Sequence, residues 1–182
     1  MSEITDFSHV FRVADLPTRK PTRFNLQPDQ AELAGIAKAL GISAVLELSF
    51  KGEIRPSGKK DWLLEADLQA RVEQPCIVTL APVASKISEP VIRRYVADMD
   101  IPEADEIEMP EDDTVDPLPD AIDIGAVLTE SLALALPLYP RAKGAELGQA
   151  VFTEPGSEAL TDEAMRPFAD LANILKKGTP KQ

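Results

Sequence analysis

The chain has 182 residues, of which 31 are acidic, 19 are basic and one is a cysteine, and its formal net charge is −12. A single cysteine excludes an intramolecular disulfide, and the acidic balance argues against non-specific binding of nucleic acid over the whole surface. The length suits one domain with a sizeable core. No secretory signal or membrane-spanning stretch is apparent, which predicts a soluble cytoplasmic protein.

Most of the acidic charge is concentrated in one segment. Residues 98–123 hold twelve acidic side chains, four prolines and no lysine or arginine, so they account for the whole net charge. Like charges with repeated prolines repel one another and do not build a core, which predicts a solvated, extended loop. The sequence predicts a single domain over residues 1–182, with this acidic, proline-rich loop at about 98–123 and a weakly ordered stretch at 141–165.

The first elements are a short strand and a helix. Apolar residues alternate from Phe7 to Val13, which predicts a strand. His9, the only histidine, falls on its apolar side and is predicted to be a partly buried structural residue. A turn-like stretch follows up to Arg23. Pro28 then opens a predicted helix that Gly41 ends, and its apolar face consists of Leu33, Ile36, Ala37 and Leu40.

Two long alternating runs predict an antiparallel hairpin with one solvated face. Before a Pro/Gly loop, the apolar positions of the alternating pattern are occupied by Ala44, Leu46, Leu48, Phe50 and Ile54. After the loop, they are occupied by Trp62, Leu64, Ala66, Leu68, Ala70 and Val72. Two further strands are predicted at Cys76–Leu80 and at Ile87–Val96, the second with a bend at Pro90.

Behind the acidic segment, apolar residues from Ile124 to Leu136 recur at helical spacing. Asp123 is placed to cap this helix and Pro137 to stop it. A last short helix is predicted from Pro167 to Lys177. The order of elements predicts an α+β fold: an antiparallel curved sheet, or a partly closed barrel, with helices packed on one face.

No catalytic constellation is visible in the sequence. A catalytic triad would have to use His9, the single histidine. No glycine-rich phosphate loop is present in the sequence. Cys76 has no basic neighbour in sequence to lower its pKa. We therefore predict no catalytic, cofactor-binding or metal-binding residue. A metal-dependent hydrolase that uses the carboxylates of residues 98–123 remains an alternative, although the spacing of an EF-hand is missing.

Two short basic groups are candidates for contact with RNA phosphates, and solvated surface is the competing interpretation of both. One lies in a loop held by Pro17 and Pro21, and the other follows in the predicted strand 87–96. In the acidic segment, three aspartates are candidates for contact with a basic protein. The basic candidates are Arg12, Arg19, Lys20, Arg23, Arg93 and Arg94, and the acidic ones are Asp112, Asp113 and Asp116.

Four pieces of sequence occur in a recognisable order. They are residues 74–82 behind the long hairpin, the acidic Asp-Pro-rich segment, residues 122–138, and residues 166–171 near the end. In this order they resemble the YceD family of large ribosomal RNA subunit accumulation proteins. Many members of that family carry C-x-x-C followed by Leu in the first piece. Here Cys76 matches the first cysteine and Thr79 stands in place of the second, so we predict that the chain holds no zinc.

The resemblance implies a non-enzymatic factor that supports synthesis, processing or stability of 23S rRNA during assembly of the large ribosomal subunit. We expect its partner to be large-subunit rRNA or, through the acidic segment, a basic ribosomal protein. An adaptor that binds a basic protein through the acidic loop alone is the alternative within the same class of binding proteins.

Overall fold

The computed structural model describes residues 7–99 and 114–146. By its internal contacts the chain divides into two units, and all but the last two of these residues belong to the first unit, Met1–Gly144. Three predictions concern residues outside the described ranges: most of the acidic loop (100–113), the weak order of residues 147–165 and the helix at 167–177. They stay predictions, as does the single domain over 1–182.

The described residues form an α+β fold, as predicted. The strands β2 to β6 make a five-stranded sheet in that order, and β1 pairs with β7 in a two-stranded sheet. The larger sheet is mixed, because β6 runs parallel to β5 while the other pairs are antiparallel, and across the described residues it does not close into a barrel. The elements are β1 (Val10–Arg12), a 3-10 helix (Val13–Asp15), β2 (Thr22–Leu26), α1 (Gln30–Leu40), β3 (Ala44–Ser57), β4 (Asp61–Pro75), β5 (Pro82–Val96), β6 (Val115–Pro117), β7 (Ala121–Asp123) and α2 (Ile124–Ala135).

The predicted hairpin is the β3–β4 pair, with one correction. All six apolar residues predicted for one face of β4 are buried. In β3, the register with β4 shifts between Val45 and Glu47. This bulge reverses the facing of the residues before it, so Val45 is buried while Leu46 is 40% exposed. The prediction that Leu46 shares the buried face was therefore wrong.

Two further predictions failed near the ends of strands. Thr22 and Arg23, at the end of the predicted turn-like stretch, belong instead to the strand β2, which pairs with β3 and buries Phe24 and Leu26. Residues 76–80 are not a strand but a turn, because the chain must reverse there between the antiparallel β4 and β5. The turn is closed by the amide of Leu80, which donates to the carbonyl of Cys76 over 2.9 Å.

The strand β5 is longer than predicted and continues through Pro90 in unbroken register with β4. At its end, the amide of Arg94 donates to Thr114 O and the carbonyl of Val96 accepts from Leu118 N, so both groups point away from β4. By the alternation of a strand, the other even-numbered residues point the same way. Pro90 belongs to this set, and its missing N–H therefore removes no bond to β4.

The helix α1 begins and ends on local signals. Asp29 accepts from the amides of Ala31 and Glu32, while the Glu32 carboxylate accepts from the amide of Asp29, which is a complete capping box. Gly41 ends the helix in the left-handed region, at φ 65°. The core contains the buried residues of α1, the buried face of the sheet and the buried residues of α2. No helix in the described part of the chain is both long and apolar enough to cross a membrane.

The end of the acidic segment is structural, which corrects the prediction of a loop up to residue 123. It forms β6 and β7, and Ile122 on β7 is 1% exposed. Asp123 caps α2 as predicted, and Ala135 ends the helix before Pro137. His9 directly precedes β1 and is exposed rather than partly buried; its ring meets the Phe11 ring edge-on, with centroids 5.2 Å apart.

Candidate functional site

The outer face of the five-stranded sheet is charged, but its charges are largely paired. Each of three arginines lies within ion-pair distance of a glutamate on the neighbouring strand. Exposed pairs of this kind stabilise the fold by only about 0–1 kcal/mol each. The glutamates nevertheless neutralise the positive charge that an RNA phosphate would otherwise bind. The pairs are Arg23 with Glu53 at 3.3 Å, Arg55 with Glu65 at 2.9 Å and Arg71 with Glu47 at 3.2 Å.

A group of exposed positive charges lies at one end of this sheet. Arg19 and Lys20 directly precede β2, and Lys59 lies in the turn between β3 and β4. Because β2 begins opposite Ile54, near the end of β3, these three residues occupy the same end of the sheet. All three are exposed, and none forms an ion pair with another described residue. We call Arg19, Lys20 and Lys59 the basic rim.

The first predicted basic group is therefore only partly brought together. Arg19 and Lys20 lie in a loop, but Arg23 is on β2, where Glu53 compensates it. Arg12 is on β1, in a shallow cleft that also involves Ala97. Sequence reasoning missed Lys59, although the Pro-Ser-Gly-Lys-Lys turn of the hairpin was a signal for it.

The second predicted basic group is divided between the two faces of the sheet. Arg93 lies on the core side, 17% exposed, with its guanidinium 3.1 Å from Asp116 on β6 and 2.7 Å from Glu130 on α2. It thus joins three elements of the fold, and Asp116 is an internal partner. Arg94 points to the outer face beside the row that holds Arg55. The other predicted protein contacts, Asp112 and Asp113, lie outside the described residues.

Cys76 is buried and lies in the turn after β4, not in the strand predicted for residues 76–80. Its Sγ accepts from the amides of Ala142, Val78 and Thr79 at 3.3, 3.4 and 3.5 Å. The bond from Ala142, followed by those from the Thr79 hydroxyl and amide, lowers the pKa of the thiol to about 6, against the opposing effect of burial. No basic residue is involved, so a sequence search for one misses this perturbation.

The chain after α2 presents an exposed aromatic residue. We call residues 136–144 the tyrosine loop. Pro137 O accepts from Gln74 Nε2 at 3.2 Å, Pro140 O accepts from Ile77 N at 3.0 Å, and Ala142 donates to Cys76 as described. Between these anchors Tyr139 is 75% exposed. Sequence reasoning passed over this loop, although an aromatic residue between two prolines and followed by two basic residues is a readable signal.

The Cys76 turn does not fit a zinc centre. Structural zinc takes four ligands, and this chain has no second cysteine. Among residues 7–99 and 114–146, no group of three or more His, Cys, Asp or Glu is placed to hold a metal ion. The carboxylates of residues 100–113, on which the hydrolase alternative depends, lie outside those ranges.

A comparison with protein-family models matches residues 64–175, more than half of the chain, to the model described as large ribosomal RNA subunit accumulation protein YceD. The chain belongs to the YceD family. The YceD match begins within β4 and includes the Cys76 turn and the tyrosine loop, whereas the basic rim precedes it. Searches of curated proteins and of solved structures found no match to the chain.

Proposed function

We propose that this YceD protein is a non-catalytic binding factor that supports the accumulation of 23S rRNA during assembly of the large ribosomal subunit. The observation that carries the proposal is the family match over residues 64–175. The proposed location is the cytoplasm, where ribosomal subunits are assembled.

The proposed mode of binding is contact between the basic rim and rRNA phosphates. Arg19, Lys20 and Lys59 are exposed cations without a carboxylate partner among the described residues. On duplex RNA treated like B-DNA, three such contacts give a slope of log K against log salt of about −2.7. The net charge of −12 repels RNA, so we expect weak binding that is lost as salt rises.

The cellular test is deletion of the gene in the source organism, followed by measurement of mature 23S rRNA relative to small-subunit rRNA. We expect the ratio to fall, because a factor that supports accumulation of one rRNA affects that rRNA selectively. An unchanged ratio during both rapid growth and cold stress would refute the proposed function.

The biochemical test compares two variants with the same change of charge. Arg19, Lys20 and Lys59 are replaced by Glu in one variant, and Lys38, Lys51 and Lys86, which are exposed elsewhere, are replaced by Glu in the other. Affinity for 23S rRNA fragments is then measured over a range of salt concentrations. We expect the rim variant to lose more affinity and to have the flatter salt dependence. Equal losses in the two variants would mean that only net charge matters.

A second candidate function comes from the sequence of residues 100–113, which hold eight acidic and no basic side chains. Such a segment suits an adaptor that binds a basic ribosomal protein. Replacing Asp112 and Asp113 by Asn then weakens co-sedimentation with large ribosomal subunits, while the rim variant sediments like the wild type. The opposite result favours contact with rRNA.

A further inference from the structure

The tyrosine loop has two apolar side chains that are exposed to solvent. Its ends are pinned to the Cys76 turn and to β4 by the three hydrogen bonds described above. Pro140 is buried, whereas Leu138 and Tyr139 are 85% and 75% exposed. The anchors lie on both sides of these two residues and hold the loop backbone against the Cys76 turn and β4. Leu138 and Tyr139 therefore form a small exposed apolar surface.

Tyr139 differs from every other aromatic residue of the described surface. The remaining Phe, Tyr and Trp residues in residues 7–99 and 114–146 are buried or half-buried. An aromatic ring held at the surface offers a flat apolar face, and every nucleobase can stack on such a face. A rigid loop also lowers the conformational entropy that is lost when a ligand binds.

The residues next to this ring in sequence carry positive charge. From residue 131 to residue 145 the only charged side chains are Arg141 and Lys143. Both are exposed, and neither forms an ion pair with another described residue. In a protein whose net charge is −12, a stretch with two cations and no anion next to a presented aromatic ring is complementary to a phosphate backbone that carries bases.

We propose that the tyrosine loop is a contact site for single-stranded RNA, in which Tyr139 stacks on an unpaired base while Arg141 and Lys143 bind flanking phosphates. The inference rests on the proposed function and adds to it a second contact surface, distinct from the basic rim. Single strands are favoured over duplex because only an unpaired base exposes its face to a side chain.

The test is binding of a fluorescently labelled single-stranded RNA of about 12 nucleotides, a length in the range of known single-strand sites. Fluorescence anisotropy with the full chain at low salt gives the affinity. Tyr139→Ala should weaken binding by about 5-fold to 150-fold, the range seen when one stacking residue is removed. Tyr139→Phe keeps the ring and should bind within about 2-fold of the wild type.

The charge contribution is tested separately. Replacing Arg141 and Lys143 by Gln should lower the slope of log K against log salt by about 1.4, because each phosphate contact on a single strand contributes about 0.7. The matched control replaces Lys38 and Lys51 by Gln, which makes the same change of net charge elsewhere and should leave the slope unchanged. A slope that falls equally in both pairs of variants would overturn the assignment of these two side chains.

Leu138→Ala distinguishes RNA from the other occupants of this surface. It removes a neighbouring exposed apolar side chain but no stacking ring, so RNA affinity should hold. If instead the wild type does not bind the RNA, or Tyr139→Ala binds it as well as the wild type, the proposal fails. Self-association that both Leu138→Ala and Tyr139→Ala abolish would then identify a second copy of this chain as the occupant. These results are independent of the 23S rRNA ratio on gene deletion, so the two proposals can fail separately.

Discussion

Asp123 connects two parts of the fold, and its replacement should lower the stability of the protein. Its Oδ1 accepts from the amides of His9, Gly125 and Ala126 at 2.8, 2.9 and 3.3 Å, and its Oδ2 accepts from Ser8 Oγ at 2.6 Å. One carboxylate therefore caps α2 and holds the segment that leads into β1. Asp123→Ala should remove both functions at once.

The expected magnitude follows from these contacts. Loss of an N-cap costs about 1 kcal/mol. The two bonds from the β1 segment are to a charged acceptor, worth about 1.5–3 kcal/mol each in full, and their exposure to solvent reduces the pair to about 2 kcal/mol together. The total of about 3 kcal/mol corresponds to a fall in Tm of about 6–12 °C for a chain of this size.

The pH dependence gives an independent check on Asp123. Burial alone would raise the pKa of this carboxyl, but hydrogen bonds from Ser8, His9, Ala126 and Gly125 lower it below its ordinary value. A lowered pKa means that the charged form stabilises the fold above the ordinary pKa of about 3.9, and that this stabilisation is lost as the pH falls through the folded-state value.

The assay is thermal denaturation of the full chain, followed by circular dichroism at neutral and acidic pH. Ser8→Ala is the matched control, because it removes one of the four bonds and should cost about 1 kcal/mol. The difference in stability between wild type and Asp123→Ala should shrink in acid. An Asp123→Ala protein that melts within about 2 °C of the wild type at neutral pH would refute this reasoning.

Three further predictions concern single side chains. A Cβ at Gly125 would overlap Phe7 O, so Gly125→Ala should destabilise the protein by about 1–3 kcal/mol in urea denaturation, although alanine is the better helix former; a more stable variant would contradict the packing. The Cys76 pKa of about 6 lies below its ordinary value of about 8.5, so the stability of the wild type should increase as the pH rises from about 6 to about 8.5. Cys76→Ser should not show this increase. Parallel profiles of stability against pH for the two proteins would exclude a charged thiolate. Arg93→Ala leaves Asp116 and Glu130 without their partner and should cost about 1–3 kcal/mol by thermal denaturation, whereas an unchanged Tm would mean that solvent replaces the guanidinium.

The hairpin and the helices α1 and α2 could be predicted because their signals are local. The strand β4 alternates without interruption, α1 has Asp29 and Gly41 at its ends, and α2 has Asp123 and Pro137. The bulge in β3 has no such signal. Val45 and Leu46 are both apolar, so the sequence does not decide which of them faces the core, and pairing with β4 decides it.

The elements that could not be predicted depend on distant partners. The strands β6 and β7 have three residues each and pair with β5 and β1 far away in sequence. Their apolar residues, Val115 and Ile122, are hidden in a segment whose average is acidic. The candidate site also depends on contacts between parts of the chain that are distant in sequence. Lys59 joins Arg19 and Lys20 only because β2 adds to the edge of the hairpin, and Arg93 is committed to internal carboxylates only because β6 and α2 close over it.

The position of prolines in β5 has a consequence for how molecules of this protein meet one another. Within the described residues, β6 covers only Arg94–Val96, so the rest of β5 is a sheet edge. An open edge invites a strand from a second molecule and promotes aggregation. Pro82 and Pro90 remove two of the amides that point outward along this edge, and Lys86 between them adds a charge. An incoming strand therefore meets an interrupted ladder, and intermolecular sheet growth is disfavoured without any loss of pairing inside the fold.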